Sequence, residues 1–277
     1  MTDRLPLQIQ KAVRRYRPIQ AAGLTLYPIK VKDLDQFQLA KPALEALQQS
    51  FPVRLMSMPI LQAFYRLDHE AAVEGRELTG LFSSALLGLA LALRIGEGLD
   101  LGERLRQFTI VPEPDDHAKL KFVAALLNGE EMVKITPAQY GKLRKLIAAQ
   151  NGVEIYGDDA NPELVEAERI MRSQGQQLRG SVEDEIRFVS LLGFDEDAID
   201  DWAILKLHDK ANAMRRVLDY VVCAINEGAG CTWKGGNPAP HPWMEKERSG
   251  GGAVAAESVM GGAAERAIRN ENKQTVL

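Results

Sequence analysis

The stretch LTGLFSSALLGLALAL, residues 78–93, is the most apolar segment of this 277-residue chain and decides its fold class. Its apolar residues recur at intervals of one, three and four, which predicts a helix with a wide apolar stripe. The additional Leu87 and Leu91 extend the stripe nearly around the helix. Such a helix lies at the centre of a core or is covered by another subunit. We therefore expect a mainly helical protein built around it.

This apolar segment is too short to be read as a membrane span. It has 16 residues between Glu77 and Arg94, whereas a transmembrane helix needs about 20 apolar residues. The N-terminus lacks the apolar region of a secretory signal. Cys223 and Cys231 offer neither a disulfide framework nor a zinc-binding spacing and are compatible with a reducing compartment.

Turn and capping signals predict further helices on the N-terminal side. One helix is expected over residues 33–50, interrupted at Pro42, and a second after Pro52. Gly96 and Gly98 are expected to end the apolar helix.

The sequence period changes between residues 106 and 135. Residues 108–111 resemble a strand that ends at Pro112. Two apolar runs, at 120–127 and 132–135, flank Asn128-Gly129, which is a hairpin signal. We predict a small antiparallel sheet of two or three strands inserted into the helical domain.

Helical signals return after the sheet. Thr136, Pro137 and Gln139 match a capping box with proline in the first turn. Later helices begin near Asn161 and Ser181, and the last helix spans about 196–226. In this last helix the apolar residues recur at helical spacing and predict a buried stripe: Met214, Val217, Leu218, Val221, Val222 and Ile225.

These patterns divide the chain into three parts. Residues 1–23 form a basic N-terminal arm with little apolar periodicity. Residues 24–245 form a helical domain with the β insertion at about 106–135. Residues 246–277, rich in Gly and Ala, are predicted to be a flexible tail.

Charge is distributed unevenly around a formal net charge of −4. The overall acidity argues against a dominant nucleic-acid surface. Cations are concentrated in the arm, at Arg4, Lys11, Arg14, Arg15 and Arg17, and acids prevail over residues 181–210. These patches are either solvated faces or surfaces that steer a partner or a neighbouring copy.

No motif in the sequence indicates catalysis. The four histidines, His69, His117, His208 and His241, are scattered. The Gly-Lys pair at 141–142 lacks the other residues of a phosphate-binding loop, and the acidic run at 195–201 does not match a calcium loop. We predict no catalytic, cofactor or metal site and expect that the protein is not an enzyme.

Five apolar side chains are candidates for binding a protein partner. Leu78, Phe82 and Leu89 lie on the apolar helix, which serves either the core or a partner. Trp233 and Trp243 lie in a Gly/Pro-rich stretch. They either fill a gap in the helical core or anchor a partner, because Trp is enriched at binding hot spots.

Several segments together resemble one family of phage proteins. Residues 26–33 (LYPIKVKD) and 52–59 (PVRLMSMP) resemble its opening, and 135–137 with 143–152 resemble its middle motif. Trp233-Lys234 and His241-Pro242-Trp243 resemble its closing motif. In this order they are similar to tail assembly chaperones of siphophages and prophages of Gram-positive bacteria.

The resemblance implies a non-enzymatic role in assembly. Such a protein would bind the tape measure protein, help recruit tail tube subunits, and remain in the host cytoplasm outside the mature virion. It carries over no interaction residues and does not cover the arm or the tail. A homo-oligomer would fit this role. The alternatives are a structural tail or connector subunit of the virion, and a DNA-binding regulatory protein that acts through the basic arm.

Overall fold

The computed structural model describes residues 5–127, 131–155, 161–176, 181–233, 237 and 239. Helices account for 58% of the chain, and a three-stranded antiparallel sheet and a two-stranded hairpin complete the fold, which confirms the mainly helical prediction. The predicted tail at 246–277 lies outside the described residues. The helices in the described ranges are α1 Leu7–Arg14, α2 Leu34–Glu45, α3 Val53–Met56, α4 Ile60–Val73, α5 Leu81–Leu93, α6 Leu101–Arg106, α7 Pro137–Gln150, α8 Pro162–Gln176, α9 Val182–Ser190, α10 Glu196–Asp200 and α11 Ile204–Gly228.

The chain forms two compact units, a division that the sequence did not indicate. The larger unit comprises Met1–Asp158 and Leu178–Asn212. The smaller unit comprises Asp159–Gln177 and Ala213–Leu277. Helix α8 therefore belongs to the smaller unit, whereas α11 begins in the larger unit and ends in the smaller one.

From Leu5 onward the basic N-terminal segment forms a helix and a hairpin that pack on the core, whereas the sequence predicted an arm with little periodicity. Helix α1 is followed by a hairpin of β1 (Ile19–Ala21) and β2 (Leu24–Leu26). Ala22 and Gly23, both at positive φ, form its two-residue turn. The few apolar residues of the segment attach it to the core: Val13 and Ile19 are buried there, while the described cations are exposed.

Helix α5 is the centre of the core of the larger unit. Ten of its 13 residues are buried, and it packs against α2 and α4. It begins at Leu81 rather than Leu78, because Gly80 adopts a positive φ of 71°. Asp68 of α4 accepts a hydrogen bond from the backbone nitrogen of Thr79 (2.9 Å) just before this start. It ends before the predicted glycines, where Arg94 adopts a positive φ of 57° and Ile95 donates to the carbonyl of Ala90.

The predicted sheet is confirmed and lies against α4. Its strands are β3 (Phe108–Glu113), β4 (Asp116–Leu127) and β5 (Glu131–Ile135), in the order β3-β4-β5. The side chain of Gln62 on α4 joins β4 by donating to Ala118 O (3.0 Å) and accepting from Leu120 N (2.8 Å). The predicted turn at Asn128-Gly129 lies outside the described residues.

Helix α7 packs against α2 and α4 in the core of the larger unit. Its start has the predicted capping box between Thr136 and Gln139. The guanidinium of Arg144, buried on α7, reaches the last carbonyls of α2, which ends at Glu45 shortly after Pro42. Helix α2 runs through Pro42 without a break and ends three residues later, so the predicted interruption at Pro42 and the predicted extension to residue 50 were both wrong.

Candidate protein-binding surface

The second half of α11 exposes a row of large apolar side chains. Leu218 is 45% exposed, Val221 41%, Val222 55% and Ile225 65%. We call these four residues the α11 stripe. The sequence predicted that they are buried, and this prediction was wrong. Their helical spacing was read correctly, but all four side chains are exposed.

The opposite side of the same helical segment is the covered one. Cys223 is buried, and Arg216 and Tyr220 are half-buried. Successive residues turn by about 100° in an α-helix, so these three lie roughly opposite the α11 stripe. A surface helix normally turns its apolar side toward the core. This segment does the reverse, which is the pattern expected when the apolar side has a partner of its own.

The α11 stripe continues a row that is buried earlier in the helix. Leu207 and Ala211 fall on the same side of α11 and have no exposed surface. Both belong to a second core cluster of the larger unit, together with Val189 and Ile199. The apolar periodicity therefore continues through the whole of α11, but its apolar side chains are fully buried only in the first half of the helix.

Helix α8, also in the smaller unit, likewise exposes large apolar side chains. Leu164 and Ile170 are each 50% exposed and Met171 is 67% exposed. Val165 is buried. Exposed apolar side chains occur singly on most proteins, but two helices of one small unit share the feature here.

The structure separates the three candidates of the apolar helix. Phe82 and Leu89 are buried in the core around α5, so they offer no surface to a partner in this conformation. Leu78 is 56% exposed and precedes α5 rather than belonging to it. The apolar helix therefore belongs to the core, which is one of the two roles that the sequence allowed.

Only one of the two candidate tryptophans lies within the described residues. Trp233 is half-buried, and its indole Nε1 is shielded from solvent without a hydrogen-bond partner. Trp243 lies outside the described residues.

Segment 27–33 carries the opening motif of the resemblance. It forms hydrogen bonds with distant parts of the larger unit. Ile29 donates to Asn151 Oδ1 (2.9 Å) and accepts from Ile204 N (3.0 Å). Val31 N donates to Trp202 O (2.9 Å). Ile29 and Val31 of the motif are therefore explained by main-chain contacts inside the fold rather than by a surface.

Lysines of the same motif form an exposed ion-pair network. Lys30 Nζ lies 3.0 Å from Asp201 and 3.4 Å from Glu97, and Lys32 is 3.4 Å from Asp201. The hydrogen bond to Asp201 raises the pKa of Lys30, and the bonds from Lys30 and Lys32 lower the pKa of Asp201. Exposed pairs of this kind orient segments but contribute little stability each.

The middle motif has a structural role too. Gln150 donates from Nε2 to the carbonyls of Arg17 and Leu26, each at 3.2 Å. Asn151 donates to Ile147 O in addition to accepting from Ile29. Gly152 has a φ of +71°, and a Cβ there would come within 3.1 Å of Leu205. The end of α7 is thereby fastened to the N-terminal hairpin.

The described ranges contain neither a metal-binding cluster nor a membrane-spanning helix. No group of three or more His, Cys, Asp or Glu residues in these ranges is arranged to hold a metal ion. No helix in the part of the chain that the structure describes is long and apolar enough to cross a bilayer.

Comparison with known proteins adds no relative. No family model, no curated protein and no solved structure matches this chain.

Proposed function

We propose that this chain is a non-enzymatic tail assembly chaperone of a bacteriophage or prophage, which binds the tape measure protein through the α11 stripe. The observation that carries the proposal is the outward apolar side of α11, where Val222 and Ile225 are both more than half exposed. The names of the partners rest on the resemblance of segments 26–33, 52–59, 135–152 and 233–243 to such chaperones.

The chemistry of the stripe selects the kind of partner. Four apolar side chains along two turns of a helix complement an amphipathic helix that presents its own apolar residues at intervals of three and four. Burying apolar surface contributes about 25 cal/mol per Å², so covering the stripe stabilises a complex. A tape measure protein, with long apolar helices, has this chemistry, and tail tube subunits would be recruited to the complex.

Co-expression with the tape measure protein encoded beside this chain tests the proposal. We expect a soluble complex in pull-down and size-exclusion chromatography, with the tape measure protein insoluble when expressed alone. Val222→Glu with Ile225→Glu should abolish the complex. Val53→Glu is the matched control, because Val53 is 82% exposed on α3 of the larger unit and should leave binding unchanged.

Two results would overturn the proposal. Binding that survives both stripe substitutions would remove α11 as the binding surface. A chain that does not bind the tape measure protein but is present at fixed stoichiometry in purified particles would be a structural tail or connector subunit. The chaperone should instead remain in the host cytoplasm and be absent from finished particles.

A further inference from the structure

The N-terminal segment presents a concentrated positive patch on the larger unit. Its four cations, which we call the α1 patch, are Lys11, Arg14, Arg15 and Arg17. All four side chains are exposed, and none forms an ion pair with a described residue. Four like charges within seven residues repel one another, and an acidic partner would offset this repulsion.

The fold holds the α1 patch in a fixed position. Val13 of α1, within the patch segment, and Ile19 of β1, just after it, are both buried. Tyr16, between two of the cations, donates its hydroxyl to Asp209 at 2.8 Å. Gln150 binds the carbonyl of Arg17. The cations therefore project from an ordered surface rather than from a loose arm, and a partner can meet them without ordering the segment first.

The same unit carries an acidic surface on α9 and α10. Its exposed acids are Glu183, Asp184, Asp195, Glu196, Asp197 and Asp200. Asp197 and Asp200 on α10 form no ion pair with any described residue. Helices α9 and α10 contact each other, so these residues belong to one surface. We call it the α9–α10 face.

The α1 patch does not pair with the α9–α10 face of its own chain, because no ion pair joins them in the described residues. We propose that the α1 patch docks on the α9–α10 face of a second copy of this chain. The two surfaces differ, so the contact is head-to-tail: one copy of the pair keeps its face free and the other keeps its patch free. Contacts of this type form rings when the rotation closes and open chains when it does not.

A second copy fits the charges better than a nucleic acid does. The chain has a formal net charge of −4, and the α9–α10 face would repel a phosphate backbone. A second copy brings opposite charge to both surfaces at once. This inference is independent of the α11 stripe, because it involves only residues of the larger unit.

Sedimentation velocity over a range of protein concentrations, at about 50 mM and about 500 mM salt, tests the inference. Exposed charges are largely screened at the higher ionic strength, so we expect association at low salt that dissociates at high salt. Association through the apolar α11 stripe would not weaken with salt, which distinguishes the two surfaces.

Charge reversal identifies the surfaces. Arg14→Glu with Arg15→Glu, and separately Asp197→Lys with Asp200→Lys, should each raise the dissociation constant by roughly tenfold or more. All four substitutions in one chain should restore association, because reversed patch and reversed face attract again. Lys142→Glu with Lys145→Glu, on the exposed side of α7, is the matched control and should change nothing.

Three outcomes would overturn the inference. They are a monomer at every concentration at low salt, association that survives either reversal, and failure of the fourfold variant to recover. If the wild type instead binds duplex DNA in a salt-dependent manner and loses it with Arg14→Glu and Arg15→Glu, the α1 patch serves a nucleic acid. Circular dichroism verifies that each variant is folded.

Discussion

Arg144 on α7 donates a hydrogen bond from its guanidinium to the carbonyl of Leu44 at 2.7 Å, and so ends α2 from outside that helix. The same guanidinium binds the carbonyls of Ala43 (3.0 Å) and Ala46 (2.5 Å). The last carbonyls of a helix have no partner within it, and here they are buried. A cation at this end also complements the helix dipole.

Removing this guanidinium should destabilise the larger unit. Arg144→Met keeps the apolar stem but leaves several buried carbonyls without donors, which should lower the free energy of unfolding by roughly 2–4 kcal/mol. Urea denaturation followed by circular dichroism measures the change. Arg106→Met, at an exposed position of α6, should shift it by less than about 0.5 kcal/mol. Equal effects of the two substitutions would contradict this interpretation.

The hydroxyl of Tyr140 should be dispensable for stability. It is buried on α7 without a hydrogen-bond partner, and burial raises its pKa. Tyr140→Phe removes an unsatisfied polar atom, so we expect unchanged stability or a gain of up to about 1 kcal/mol. Tyr140→Ala should cost about 3–5 kcal/mol, because it leaves a cavity. A thermal melt in which Phe is as damaging as Ala would contradict the expectation.

Asp68 should act as the cap of α5. Its carboxylate accepts from Thr79 N at 2.9 Å and from Phe82 N at 3.4 Å. The hydroxyl of Thr79 also donates to it. Asp68→Ala removes all three bonds at the start of the most buried helix and should cost about 1 kcal/mol, as other capping losses do. The comparison is Asp115→Ala in the exposed β3–β4 turn, measured in the same denaturant titration. If the two variants unfold at the same denaturant concentration, Asp68 is not a cap.

The two halves of α11 should respond differently to the loss of an apolar side chain. Leu207→Ala removes a fully buried side chain of the second core cluster and should cost about 2–5 kcal/mol. Ile225→Glu replaces a residue that is 65% exposed and should change stability by less than about 0.5 kcal/mol. A large loss on Ile225→Glu would show that this part of the stripe is covered within the chain.

The pH dependence of the Asp201 network has a defined sign. Hydrogen bonds from Lys30 and Lys32 hold the pKa of Asp201 below its usual 3.8. Its contribution to stability is therefore present above pH 3.8 and is lost as the pH falls through the lower, folded-state pKa. A carboxyl carbon NMR titration should show the low value, and Lys30→Met should move it back up. An unchanged titration in Lys30→Met would contradict the network.

Local signals in the sequence were sufficient for much of the fold. The capping box at Thr136, the apolar run of α5 and the change of period at the sheet depend on neighbouring residues, so they could be predicted. The packing of the N-terminal segment could not, because it depends on a few apolar residues such as Val13 that meet distant parts of the chain.

The candidate surface was missed for a related reason. Helical spacing identifies the apolar side of α11, but it does not show whether another element of the chain covers that side. Leu207 and Ile225 follow the same periodicity, and only tertiary structure distinguishes the buried residue from the exposed one. The named candidates Phe82 and Leu89 failed as surface residues because extreme apolarity is what a central helix requires.

The pairing of Ile29 with Ile204 has a consequence for how the protein is made. These residues lie far apart in sequence, yet Ile204 N donates to Ile29 O and Val31 N donates to Trp202 O. A ribosome must therefore synthesise about three quarters of the chain before the opening motif finds its partners. Contacts between such distant residues slow folding. A chain whose translation is paused before Ile204 lacks residues that the larger unit needs. The α11 stripe, which begins at Leu218, is synthesised only after the last residue of that unit.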